Sequence, residues 1–129
     1  MKHALFSLLT IVLMAGCAAS TTQALVDEQN WYGLGEQDGQ RGLPQRTLND
    51  LRTLANKAGD RMTANYLDYE QGYIHGIDAY CNPAHAYQLG LDGNPYMGVC
   101  ESRPGSQRFR MEWQRGYNDY QSQANSQFY

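Results

Sequence analysis

The feature that most limits what this chain can become is a glycine–aromatic pattern recurring inside segments otherwise built to be helical. Tyr32-x-x-Gly35-x-x-Asp38-Gly39 is followed by Tyr69-x-x-Gly72-x-x-His75-Gly76 and Trp113-x-x-Gly116-x-x-Asp119-Tyr120, with a shortened form in Tyr87-x-x-Gly90-x-Asp92-Gly93. Offsets of zero, three and seven fall on one side of an α-helix, so each full copy lines up an aromatic ring, a glycine and a second glycine or tyrosine. A glycine inside a helix costs about 1 kcal/mol relative to alanine. Repeating it implies a compensating gain, and close helix crossing, with a neighbour's ring lying over the bare backbone, is the simplest one. These segments are far too polar to be membrane spans, although small-xxx-small packing in membranes follows the same logic.

The segments between the copies carry helix start and stop signals. Thr47-x-x-Asp50 has the form of a capping box, Leu48, Leu51, Leu54, Ala55 and Ala58 form an amphipathic face, and Gly59 can end it. Asn65 can cap a helix over residues 66–80, and Asn82-Pro83 suits the start of a shorter one running toward Leu91. Gly93-Asn94-Pro95 and Arg103-Pro104-Gly105 signal turns. Phe109, Trp113, Gly116, Tyr117 and Tyr120 space themselves as the inner face of a last helix. With no alternating strand pattern, the expected fold is a compact all-α single domain of about five helices with glycine–aromatic crossings.

Residues 1–16 have the parts of an exported leader: basic Lys2, an apolar run over residues 4–14, then small Ala15 and Gly16. The run is too short for a permanent span. Met14-Ala15-Gly16-Cys17 resembles the lipobox of bacterial lipoproteins. The resemblance implies cleavage before Cys17 and lipidation of that cysteine. Ala18, rather than an aspartate, follows Cys17, which in that class implies sorting to the outer membrane. The expected division is a signal peptide over residues 1–16, a lipidated cysteine and flexible tether over 17–30, a helical domain over 31–122 and a tail over 123–129.

Removing sixteen of 129 residues leaves 113, enough for one modest domain. Nine Lys and Arg then face thirteen Asp and Glu, a net charge of −4. Phosphate-backbone binding calls for a concentrated basic surface, so no nucleic-acid partner is expected. Arg103, Arg108, Arg110 and Arg115 are interleaved with Glu101 and Glu112, as on a solvated helix face. Apart from Cys17 the only cysteines are Cys81 and Cys100. In an oxidising compartment they are expected to pair, while zinc or thiol chemistry would need a second Cys pair or a CxxC that is not there.

At the level of family, the chain resembles small proteobacterial envelope lipoproteins carrying a domain of unknown function. The resemblance rests on Trp31-Tyr32-x-x-Gly35-x-x-Asp38-Gly39, on Tyr69-x-x-Gly72-x-x-x-Gly76-x-x-x-Tyr80-Cys81-Asn82-Pro83, and on residues 90–95 followed by Tyr96-x-Gly98-Val99-Cys100. It spans most of residues 31–120 and implies a fold and an address, with no activity to carry over.

Asp38, His75 and Asp119 stand at matching places in the three full copies, and two carboxylates with an imidazole suit acid–base work or a metal. The plainer expectation is that they cap or bond backbone and tyrosine hydroxyls at helix contacts. His85 has no ligand-type partner at i+3 or i+4, and no serine lies in a nucleophile-elbow context. The expected role is therefore an interaction or structural protein, lipid-anchored at the outer membrane and facing the periplasm, with an envelope protein or peptidoglycan as partner, no catalytic residues, no metal and no cofactor. The alternative is a glycan-acting enzyme using Asp38, His75 and Asp119, or a peptidoglycan-binding module using exposed members of the ten tyrosines and two tryptophans.

Overall fold

A computed structural model describes residues 17–127. The expected leader, the side chain of Cys17 and the last two residues lie outside the described residues. The order is α1 (Cys17–Asp27), α2 (Trp31–Gln40), α3 (Leu48–Ala58), α4 (Tyr66–Tyr80), a 3-10 turn (Pro83–His85), α5 (Ala86–Leu91) and α6 (Ser106–Ser126). There is no strand among the described residues.

The local signals act as expected at three helix starts. Thr47 and Asp50 form a reciprocal capping box on α3. Asn65 accepts the Asp68 amide at the head of α4, and Asn82 accepts the Ala84 amide ahead of the turn into α5. Two stretches differ from expectation. The segment expected to be a flexible tether is helical as α1, and Val26 near its end is buried against the core. Its small polar residues lack an apolar stripe, yet Leu25 and Val26 pack it against the core, and tertiary packing decides helices of this length. The expected tail, in turn, continues α6 as far as Ser126.

Parallel helices α2 and α4 interlock through the glycines. An added Cβ would lie 1.9 Å from the Tyr69 carbonyl oxygen at Gly35, 2.6 Å from the Ile77 nitrogen at Gly39, 2.0 Å from the Tyr32 oxygen at Gly72 and 2.2 Å from the Glu36 oxygen at Gly76. The glycines thus meet backbone, not the rings expected from the sequence; the two helices touch main chain to main chain. Rings cover two other glycines, Gly42 under Tyr80 and Gly93 under Tyr120. Both sit at positive φ, +65° and +77°, where their helices end, and the next residue's amide reaches back into the last turn.

The same construction occurs twice. Gly116 meets the Tyr87 oxygen and Leu91 nitrogen as Gly76 meets the Glu36 oxygen and Gln40 nitrogen, and Gly90 meets Trp113 and Tyr117 as Gly39 meets Tyr73 and Ile77. In the first pair the Tyr73 hydroxyl donates to the Leu43 carbonyl at 2.8 Å; in the second the Trp113 indole donates to the Asn94 carbonyl at 2.8 Å. Helices α5 and α6 are thus a second copy of the α2–α4 pair, shorter and with Ala86 where the first has Gly35. By this register Gly116 corresponds to Gly76 rather than to Gly72, so Asp119 matches Ala79 and not His75. The recurrence read along the chain is real, but it joins helices that face one another with helices that replace one another.

A Cys81–Cys100 disulfide ties the end of α4 to the loop before α6, with a separation of 19 residues. Closing a loop of that length stabilises a chain by about 3 kcal/mol through the entropy of the unfolded state. Around it Tyr80, Tyr96 and Phe109 pack with centroid distances of 5.4 and 5.3 Å, joining the two helix pairs into one core.

Candidate functional site

Among the described residues Asp38 is the only charged one in the core, 1% exposed. Arg46, arriving from the α2–α3 connection, places Nε 2.6 Å from Oδ2 and Nη2 3.3 Å from Oδ1. The Tyr69 hydroxyl donates to Oδ2 at 2.9 Å and itself accepts the Arg46 amide at 3.0 Å. Tyr73 binds the Leu43 carbonyl and Tyr66 accepts from Gln45, so three tyrosines of α4 hold the connection against the helix. The bond to Asp38 is the main reason the Arg46 guanidinium is raised above its usual value. Every oxygen of Asp38 is engaged, which makes it a clamp. By the register of the two pairs Leu89 and Phe109 take the places of Asp38 and Tyr69, so the second pair carries no charge at those positions.

Burial pushes the phenols of Tyr69, Tyr73, Tyr80 and Tyr96 above their ordinary value of 10.0. The unfolded chain releases these protons near pH 10, while the folded chain retains them, so above that pH the unfolded state binds fewer protons. Stability is therefore held below about pH 10 and lost as pH rises further. The urea midpoint is expected to be level between about pH 8 and 9 and to fall between about pH 10 and 11.5. A midpoint unchanged across that range would show that these hydroxyls reach water.

His75 and Asp119 lie elsewhere and do not join Asp38. The His75 Nδ1 is 2.7 Å from Glu36 Oε1 across the α2–α4 pair, exposed and beside Tyr32. Asp119 accepts the Tyr87 hydroxyl at 2.9 Å across the α5–α6 pair, and the Arg115 guanidinium lies 4.0 Å over the Tyr87 ring. The hydrogen bond to Asp119 raises the Tyr87 phenol. Asp38, His75 and Asp119 thus form three separate contacts, and the acid–base constellation expected from their spacing is not assembled. Among the described residues no three His, Cys, Asp or Glu side chains come together as a metal site. His85 bonds the Tyr80 carbonyl at 3.1 Å. Arg110 pairs with Glu101 and Arg115 with Glu112, the two acidic residues interleaved with the basic cluster, while Arg103, ahead of α6, pairs with Asp78 of α4.

The open features of the surface were not visible in the sequence. At the N-terminal ends of α2 and α4, a groove of about 450 Å³ runs between Trp31, Leu48 and Leu67, with Thr63, Ala64 and Tyr66 along it. It continues past Leu48 and Ala64 into a hollow of about 330 Å³ bounded by Arg52, Ala55 and Met62. Leu67 is 67% exposed there, and the buried indole nitrogen of Trp31 has no acceptor. A third hollow, of about 380 Å³, lies at the opposite end, between Arg41, Leu43, Leu89, Pro95 and Met97. The first and third gather residues from separate segments of the chain, and the second lies between α3 and the loop that follows it, none of which a local pattern announces. Tyr69, Tyr73 and Tyr80 are core, whereas Tyr32 and Tyr120 are exposed, so the aromatics divide between the two expected roles.

A family model described as a protein of unknown function, DUF2799, matches residues 30–118. No curated protein and no solved structure matches the chain. The matched span runs from the residue that caps α2 to the middle of α6, and so takes in both glycine-interlocked pairs and the disulfide.

Proposed function

The chain belongs to the DUF2799 family of proteins of unknown function, and from that premise we propose that it is a lipid-anchored interaction protein of the bacterial envelope, held at the periplasmic face of the outer membrane. The observation that carries this reading is the Cys81–Cys100 disulfide in a chain whose first sixteen residues have the form of a lipoprotein leader ending at Cys17. Disulfides persist in exported proteins and are rare in reducing compartments. No helix among the described residues is long and apolar enough to cross a membrane, so the proposed attachment rests on acyl chains at Cys17.

The arrangement of the helices supports the interaction role. The Gln37 side chain donates to Thr21 at 3.1 Å, so the start of α1 lies beside the C-terminal end of α2. The Trp31–Leu48–Leu67 groove opens at the other end, away from the anchor. A protein held at one end and grooved at the other suits presentation of a binding surface to an envelope protein or to peptidoglycan. Exposed Leu48 and Leu67 supply apolar contact.

Cys17→Ala tests the anchor. The variant is expected to leave the membrane fraction as soluble protein, or to accumulate with its leader uncut. Membrane-bound, correctly processed Cys17→Ala protein would overturn the reading.

A further inference from the structure

We propose that the hollow between the two helix pairs, bounded by Arg41, Leu43, Leu89, Pro95 and Met97, is the surface that rests on the membrane bearing the anchor; this inference deepens the lipid-anchored reading and depends on it. Three observations converge on this end of the molecule. Helix α1 begins at Cys17 with no coil between anchor and domain, and Val26 fixes its other end in the core. The hydrogen bond from Gln37 to Thr21 sets α1 antiparallel to α2. Cys17 is one turn before Thr21 and Arg41 one turn after Gln37. At 1.5 Å per residue both steps are about 6 Å in the same direction, so the anchor and Arg41 come out level at one end of the molecule.

The chemistry at that end fits a phospholipid interface. Met97 is 51% exposed and Pro95 is also exposed, with Leu43 and Leu89 half-buried behind them. No carboxylate lines the hollow. Arg41, exposed at its rim, makes no ion pair among the described residues, a state it shares with Arg52, Arg61 and Arg108, and it is the guanidinium lining this hollow. A flexible thioether facing an acyl layer, beside a guanidinium free to meet headgroup phosphate, matches the composition of surfaces that sit at a bilayer boundary. A coil tether would leave the domain free to turn. A helical one, fixed by Leu25 and Val26 in the core and by the Thr21–Gln37 hydrogen bond, makes the orientation a property of the fold.

The test uses the full acylated protein reconstituted into phosphatidylethanolamine–phosphatidylglycerol vesicles containing lipids brominated along their acyl chains. Met97→Trp and Leu67→Trp place a fluorescent reporter at exposed positions on opposite ends, and the unsubstituted protein supplies the background from Trp31 and Trp113. The expected result is strong quenching at position 97, none above background at position 67, and weaker quenching at 97 when Arg41→Glu is added. Equal quenching at both positions, or stronger quenching at 67, in protein whose mass shows acylated Cys17 would overturn this orientation and leave the anchor standing. Protein carrying no acyl mass at Cys17 would overturn the anchor, and the orientation with it.

Discussion

Gly72→Ala is expected to destabilise the domain by about 3 kcal/mol or more, because the new methyl meets main chain rather than a side chain that can turn away. Its Cβ would lie 2.0 Å from the Tyr32 carbonyl oxygen and 2.9 Å from the Glu36 nitrogen, so the whole α2–α4 contact has to open. A loss of that size corresponds to a melting temperature lower by about 12 °C or more in a domain of this length. Gly59→Ala is the matched control. Nothing lies within 4 Å of the added methyl, and its φ of 164° is ordinary extended backbone. It is expected to change stability by less than about 0.5 kcal/mol. Thermal melts of the two variants side by side separate the interlock from the loss of a glycine as such. A Gly72→Ala shift as small as that of Gly59→Ala would mean that the α2–α4 contact does not depend on a bare backbone there.

Asp38→Asn should rank second, at about 3 kcal/mol, the lower part of the range for breaking a buried pair by removing one partner. The carboxylate holds the Arg46 fork and the Tyr69 hydroxyl together, and an amide offers one acceptor oxygen in place of two. Arg46 keeps 30% of its side-chain surface in water, which lets the orphaned cation rehydrate and moderates the loss. Denaturant unfolding of Asp38→Asn checks the size. The second helix pair shows which compensation to try: Asp38→Leu with Tyr69→Phe imports the pair found at Leu89 and Phe109. That double variant is expected to lie closer to wild type than Asp38→Leu alone, since the change at position 69 removes a hydroxyl the leucine cannot satisfy. A double variant worse than the sum of its parts would show that Tyr69 works mainly through the Arg46 amide.

Much of the scaffold was legible because its signals are local. Thr47 with Asp50, Asn65, and Asn82 with Pro83 act within one helical turn, and they started helices where the spacing placed them. Pairing of Cys81 with Cys100 followed from there being two cysteines to pair. The glycine stripe announced a close crossing, but whether backbone or ring fills the gap depends on helix direction, which one stripe does not encode. The register of α6 was hidden for a related reason: Trp113 matches Tyr69 as an aromatic three residues before a glycine, while the contact made by Gly116 matches Gly76. Helix α1 was missed because two apolar residues carry its packing. The separation of Asp38, His75 and Asp119 is a fact of three dimensions. Matching places in a repeat become neighbours only if the repeats surround a common axis, and here they sit in two pairs side by side.

Photo-crosslinking in living cells from a reporter at Leu67, at the mouth of the Trp31–Leu48–Leu67 groove, tests the anchored-interaction account most directly. The account predicts capture of one envelope protein or of peptidoglycan fragments from that position, lost when Cys17→Ala removes the anchor and lost again when Leu48→Asp spoils the groove. Capture that persists unchanged in both variants would contradict it, as would a reporter at Ile74, exposed but outside the groove, capturing the same species equally well.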